Sequence, residues 1–139
     1  MPAIRRILVG VDGSENALRA AQMAAEIAKK EGAKVTLVNV IAPSEWALFT
    51  GKMTRPLEED TIGDERLHAA IEVMKGQGVE FDTTVEFGHP AEIILRIGAK
   101  DYDLIAVGRR GLSGVEEFMI GSVSSTVVHH SKVPTLVVP

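Results

Sequence analysis

Apolar runs too short for helices, separated by segments with a helical repeat, constrain this chain more than any other feature. Ile7-Leu8-Val9, Val35 to Ile41, Leu104 to Val107 and Leu136-Val137-Val138 lack strict polar alternation, as strands buried on both faces do. Val79, Phe81, Thr83, Val85 and Phe87 instead alternate with Glu80, Asp82, Thr84 and Glu86, the pattern of a half-exposed strand at a sheet edge. A helix is predicted from the N-cap residue Ser14, with Ala17, Ala21, Ala24 and Ala28 on one stripe, Arg19, Gln22, Glu26 and Lys30 on the polar side, and Gly32 as its stop. Leu67, Ala70, Ile71 and Met74 repeat at i, i+3, i+4 and i+7 in a second helix ending at Gly76 or Gly78. Pro90 suits the first residue of a third, and a fourth follows Gly121. The order is β-α-β-α-β-α-β-α-β, so the chain is read as an α/β fold with a doubly wound five-stranded parallel sheet and helices on both faces.

Pro134, near the start of the last strand, cannot donate a ladder bond and favours an edge there too. With the third and fifth strands at opposite edges, the strand order is 3-2-1-4-5. The first and fourth strands are then central neighbours whose connections leave in opposite directions, and open α/β sheets bind ligands at the carboxyl ends beside that point. One connection breaks the short-loop pattern: Pro43 to Leu57, with Trp46, Leu48, Phe49, Lys52, Met53 and Arg55. It is read as a loop, either a lid or a segment tucking its apolar residues onto the sheet end.

Composition narrows the function. At 139 residues, the chain suits one domain spanning 1–139. Its 15 Lys+Arg against 19 Asp+Glu give a formal charge of −4, without the broad basic field of a nucleic-acid binder. Zero cysteines exclude disulfides, thiolate metal sites and cysteine nucleophiles. The apolar run from Ile7 meets Asp12, and nowhere do ~18 apolar residues follow one another, so neither a leader nor a membrane span is expected. A cytoplasmic location follows as the expectation.

The residues that carry chemistry cluster after the fourth run. Val107 leads into Gly108-Arg109-Arg110-Gly111-Leu112-Ser113-Gly114, and Gly121-Ser122-Val123-Ser124-Ser125-Thr126 opens the next helix. Glycine permits positive φ and leaves no Cβ between an anion and the backbone N–H groups. A helix start adds unpaired N–H groups and a favourable dipole, the serines add hydroxyls, and two arginines match phosphate in charge and shape. The alternative is ordinary: loop glycines, a serine cap and solvated arginines. Asp12, across the predicted crevice, fits two roles, accepting from ribose hydroxyls or holding a metal, or else capping the first helix with Ser14. Val40 and Ile41 offer an apolar wall for a base. No G-x-x-x-x-G-K-[ST] occurs, and no G-x-G-x-x-G follows the first strand, where the sequence reads Gly10-Val11-Asp12-Gly13, so neither a P-loop nor a dinucleotide fingerprint is present.

Gly108, two residues, Gly111, nine residues and Gly121-Ser122 reproduce a G-x2-G-x9-G-[ST] signature. On these residues the chain resembles the ATP-binding branch of the universal stress protein family. The resemblance runs from Ile7-Leu8-Val9, ending at Asp12 and Ser14, to the closing Val133 to Val138. It implies a Rossmann-like domain that binds ATP and forms a homodimer through its last strand, Val133 to Val138; Mg²⁺ is expected to accompany the ATP. Carried over, Asp12 and Val40 would line ribose and adenine; Val107, Gly108, Arg109, Arg110 and Gly111 would approach ribose and phosphates; Gly121, Ser122, Val123 and Ser124 would hold the phosphate tail. Arg109 departs from the small polar residue of the family pattern.

Catalysis has less support. His68 falls on a helix surface, and the adjacent His129 and His130 suit a helix end better than a metal, which would want i, i+4 spacing. His89 ends the third strand, about 10 Å from the first at ~4.8 Å per strand. No Ser-His-Asp order or catalytic carboxylate pair stands out, so no catalytic residue is assigned. The leading reading is an ATP-dependent regulatory module of the stress response. A weak ATPase or nucleotidyl-transfer enzyme using Asp12, and an ATP-independent interaction module built on the last strand, are the other two.

Overall fold

The computed structural model describes residues 3–50, 61–110 and 120–139. Five strands, β1 (Arg6–Gly10), β2 (Lys34–Ile41), β3 (Phe81–Phe87), β4 (Leu104–Gly108) and β5 (Thr135–Val138), form one parallel sheet in the order β3-β2-β1-β4-β5. The expected order is thus observed. Central β1 pairs Ile7 with Val35 on one side and with Leu104 on the other. Ile7, Leu8 and Val9 lose all contact with solvent, which is why that run needs no polar alternation.

Between the strands lie α1 (Glu15–Glu31), α2 (Pro43–Thr50), α3 (Thr61–Gln77), α4 (Pro90–Gly98) and α5 (Ser122–His130). α1 and α3 cover one face of the sheet: Ala20, Ala21, Ala24 and Ala28 pack with Leu67, Ala70 and Met74 over Val9, Val35 and Leu37. Small alanine side chains let α1 sit close to the strands. α4 and α5 cover the other face, where Ile94 and Val127 join Leu8, Val38, Ile105 and Val107. Gly32 ends α1 in the left-handed region at φ 71°, a conformation glycine reaches without a Cβ penalty. At the edges, β3 exposes Asp82 and Thr83, and Lys34 pairs with Asp82 at 3.3 Å. β5 carries no charged residue, and Thr135, Leu136 and Val137 stay half-buried. No described helix is long and apolar enough to cross a membrane.

One expectation is corrected. Pro43 to Leu57 is not all loop, because Pro43–Thr50 forms α2; residues 51–60 lie outside the described set. The helix rests on its start rather than on an apolar stripe. Pro43 takes the first helical position, Trp46 N donates to Ala42 O at 3.0 Å, and the Glu45 carboxylate accepts from Ala42 N at 3.1 Å. Those contacts are half of a capping box with proline at N1.

Candidate functional site

The connections leaving β1 and β4 meet at the carboxyl end of the sheet, where the first wraps tightly onto β2. Val11 N donates to Val38 O at 2.8 Å, and Asn39 Nδ2 donates to Val11 O at 2.7 Å. Gly13 then turns the chain at φ +89°. Asp12 Oδ1 accepts from Ser14 N at 2.9 Å, and Ser14 Oγ accepts from Ala17 N at 3.2 Å. Ser14 therefore caps α1, and Asp12 holds the cap residue in place. Asp12 nevertheless lines the crevice as well.

The connection leaving β4 is built differently. Arg109 N donates to Val138 O at 2.7 Å, Gly121 N donates to Arg109 O at 2.6 Å, and the Ser124 hydroxyl donates to Gly108 O. The first bond within α5 runs from Ser125 N to Gly121 O at 2.9 Å, and Gly121 at the N-cap supplies no side-chain cap. The N–H groups of Ser122, Val123 and Ser124 have no carbonyl partner among the described residues. They are the donors a helix start leaves open, at the positive end of its dipole. Neither Gly108 nor Gly121 has a positive φ. Both glycines serve close packing: a Cβ on Gly108 would meet Ala17 N and Asn16 C of α1 at 2.8 Å, and one on Gly121 would meet Arg110 Cα at 3.0 Å. Part of the glycine signal is thus explained by the fold itself.

Between these turns lies a cavity of 390 Å³, in the range of roughly 300–1,000 Å³ usual for small-molecule sites. Val38, Val40, Pro90, Ile94 and Val107 give it an apolar wall. The open start of α5 lies along it with Gly121, Ser122, Val123 and Ser124, beside Gly108 and Arg110. Asp12, Val40, Val107, Gly108, Arg110, Gly121, Ser122, Val123 and Ser124 all come together there. Arg109 does not line the cavity, and its buried Nε has no hydrogen-bond partner among the described residues. Gly111 lies outside the described set. Ser124 contributes less than expected as a donor, because its hydroxyl proton already goes to Gly108 O.

Sequence reasoning missed an ion pair in the lining, between Arg66 of α3 and Glu45 of α2. Their side chains are only 13% and 32% exposed, so the pair closes one side of the cavity without leaving an isolated charge. Glu45 at the third position of a Pro-initiated helix was a legible cue; Arg66 gave none. None of the four histidines lines the cavity. His129 and His130 place Nδ1 at 2.7 and 3.0 Å from the carbonyls of Ser125 and Thr126, a helix-end role as expected.

A five-stranded parallel sheet, helices on both faces and a crevice where the connections diverge define a doubly wound α/β protein with a cavity at its switch point. The model of the universal stress protein family matches residues 3–139, and the chain belongs to that family. A putative universal stress protein of Staphylococcus saprophyticus is 38% identical over 144 aligned residues, covering 99% of this chain and 85% of the relative. A solved universal stress protein in complex with cAMP is 27% identical, with a TM-score of 0.72 and coverage of 99% and 98%. A universal stress protein from Archaeoglobus fulgidus shares the fold at a TM-score of 0.76 and 22% identity, covering 97% and 93%.

Proposed function

We propose that the chain is one nucleotide-binding domain that takes ATP and acts as a regulatory module of the stress response. The observation that carries this reading is the start of α5, whose N-cap Gly121 supplies no side-chain cap and which opens into an apolar-walled cavity of 390 Å³. Such a start suits a phosphate, and the valine wall suits a base. In this arrangement the phosphates take the N–H groups of Ser122, Val123 and Ser124, Arg110 adds positive charge, Val38 and Val40 flank adenine, and Asp12 accepts from ribose. The 27% identical relative with bound cAMP supports an adenine nucleotide as the ligand class.

Mg²⁺ would enter on the phosphates. Among the described residues no three His, Asp or Glu side chains gather to hold a metal, so the phosphates themselves would supply most of its ligands. Turnover is expected to be slow or absent, because the two lining carboxylates are engaged, Asp12 by Ser14 N–H and Glu45 by Arg66. Denaturing the purified protein and identifying released nucleotide by mass spectrometry tests the ligand. Adding ATP at about 100 times its Kd should stabilise the fold by ~2.7 kcal/mol; no thermal shift with any adenine nucleotide would defeat the reading.

The edges of the sheet support a homodimer through β5. β3 carries Asp82 and Glu86, charges that blunt an edge, whereas Thr135 to Val138 carry none. Val137→Pro removes a backbone donor from that edge, and light scattering should report a monomer. An unchanged mass would place the interface elsewhere.

A further inference from the structure

Asn39 is the residue of β2 that core packing does not explain. It is fully buried, and its neighbours Val38 and Val40 line the cavity while Asn39 does not. Leu37 and Ile41, two residues away on either side, are completely buried aliphatics. Position 39 lies between them on the same face of the strand. Yet an amide stands there with Oδ1 buried and without a hydrogen-bond partner among the described residues. A buried unsatisfied acceptor is destabilising and calls for a compensating role.

That role lies in the other half of the amide. Asn39 Nδ2 donates to Val11 O at 2.7 Å, while Val11 N donates to Val38 O at 2.8 Å. Both polar backbone groups of Val11 are thereby tied to β2, one residue beyond the end of β1. The Val11 carbonyl belongs to the peptide plane that leads into Asp12. On the far side Gly13, at φ +89°, supplies no rigidity of its own. The Asp12 carboxylate is therefore held from two sides, directly by Ser14 N–H at Oδ1 and, at the backbone it springs from, by the Val11 peptide plane that Asn39 fixes.

We infer that Asn39 is a positioning residue: through the Val11 carbonyl it aims the Asp12 carboxylate at the hydroxyls of a bound ribose. The inference rests on the ATP reading given above. Its test compares ATP with 2′,3′-dideoxy-ATP by titration calorimetry, in the wild-type protein and in Asp12→Ala, Asn39→Val and the double variant. ATP should bind the wild type about tenfold tighter than the dideoxy analogue, a difference of ~1.4 kcal/mol. Asp12→Ala should abolish that preference. Asn39→Val should cut it at least about threefold while leaving the dideoxy affinity unchanged, and should add nothing in the Asp12→Ala background, as coupled residues behave.

A wild-type measurement covers variants that fail to fold. The Asn39 side-chain amide resonances should shift on adding ATP and stay in place on adding the dideoxy analogue. Loss of affinity for both nucleotides alike in Asn39→Val, or equal resonance shifts with both, would overturn the inference and leave the ATP reading standing. No preference for ATP over the analogue in the wild type would overturn it by removing the ribose contact. Failure of both nucleotides to bind would overturn the ATP reading itself, and this inference with it.

Discussion

The connections after β1 and after β4 sit side by side at one end of the sheet, and each leads into a helix, yet they treat the helix start in opposite ways. After β1, the Ser14 hydroxyl takes Ala17 N–H and the Asp12 carboxylate takes Ser14 N–H. After β4, the residue at the cap is Gly121, which has no side chain to offer, and the first three N–H groups of α5 lie along the cavity. The first start is satisfied by its own chain. The second finds no such partner among the described residues, and under the nucleotide reading its partner is phosphate. A helix with its cap supplied gains stability, and one without it gains a ligand site at a cost in stability.

Four substitutions test this contrast, in decreasing order of their effect on folding. Gly108→Ala would press a Cβ against α1 backbone at 2.8 Å, and we expect a loss of about 3 kcal/mol by urea unfolding, at the upper end of overpacking costs. A tolerated alanine would mean that the glycine serves the ligand rather than the contact between the two turns. Gly13→Ala places a Cβ at φ +89° and 3.2 Å from Arg66 Cγ, for a loss of about 1–2 kcal/mol. Ser14→Ala removes the cap of α1 and should lower stability by ~1 kcal/mol, with ATP affinity unchanged in calorimetry. A parallel fall in affinity would erase the distinction between the two helix starts. Ser122→Asp puts a carboxylate on an exposed position at the start of α5, raising apo stability by about 0.3–1 kcal/mol through the dipole. The same charge should weaken ATP binding about tenfold, or ~1.4 kcal/mol. If stability and affinity move together in this variant, the open start is not the phosphate site.

The same two turns divide what was legible in the sequence from what was not. The apolar runs and the alanine stripe led to the strands, to α1 and to the order of the sheet, because strand and helix periodicities are local properties of the chain. The N-cap Ser14 and the stop Gly32 were read correctly for the same reason. α2 was missed because periodicity was the wrong cue: its signals are Pro43 and the reach of Glu45 back to Ala42 N–H. Most of the lining was legible too, since Asp12, Val40, Arg110 and the segment Gly121 to Ser124 all lie at or beyond strand ends that the topology brings together. Arg109 does not line the cavity, because a strand end fixes which residues lie near a crevice but not which of two adjacent side chains enters it.

Sequence alone therefore determined the alternation of elements, the fold class and the end of the sheet that carries the site, since each depends on interactions between residues a few positions apart. Tertiary structure decided the rest. Gly108 is required by the approach of α1, 91 positions away at Ala17; Arg66 meets Glu45 across 21 positions; Asn39 reaches Val11 across 28. These contacts exist only once the sheet has set the distances between distant segments, and no local pattern encodes them.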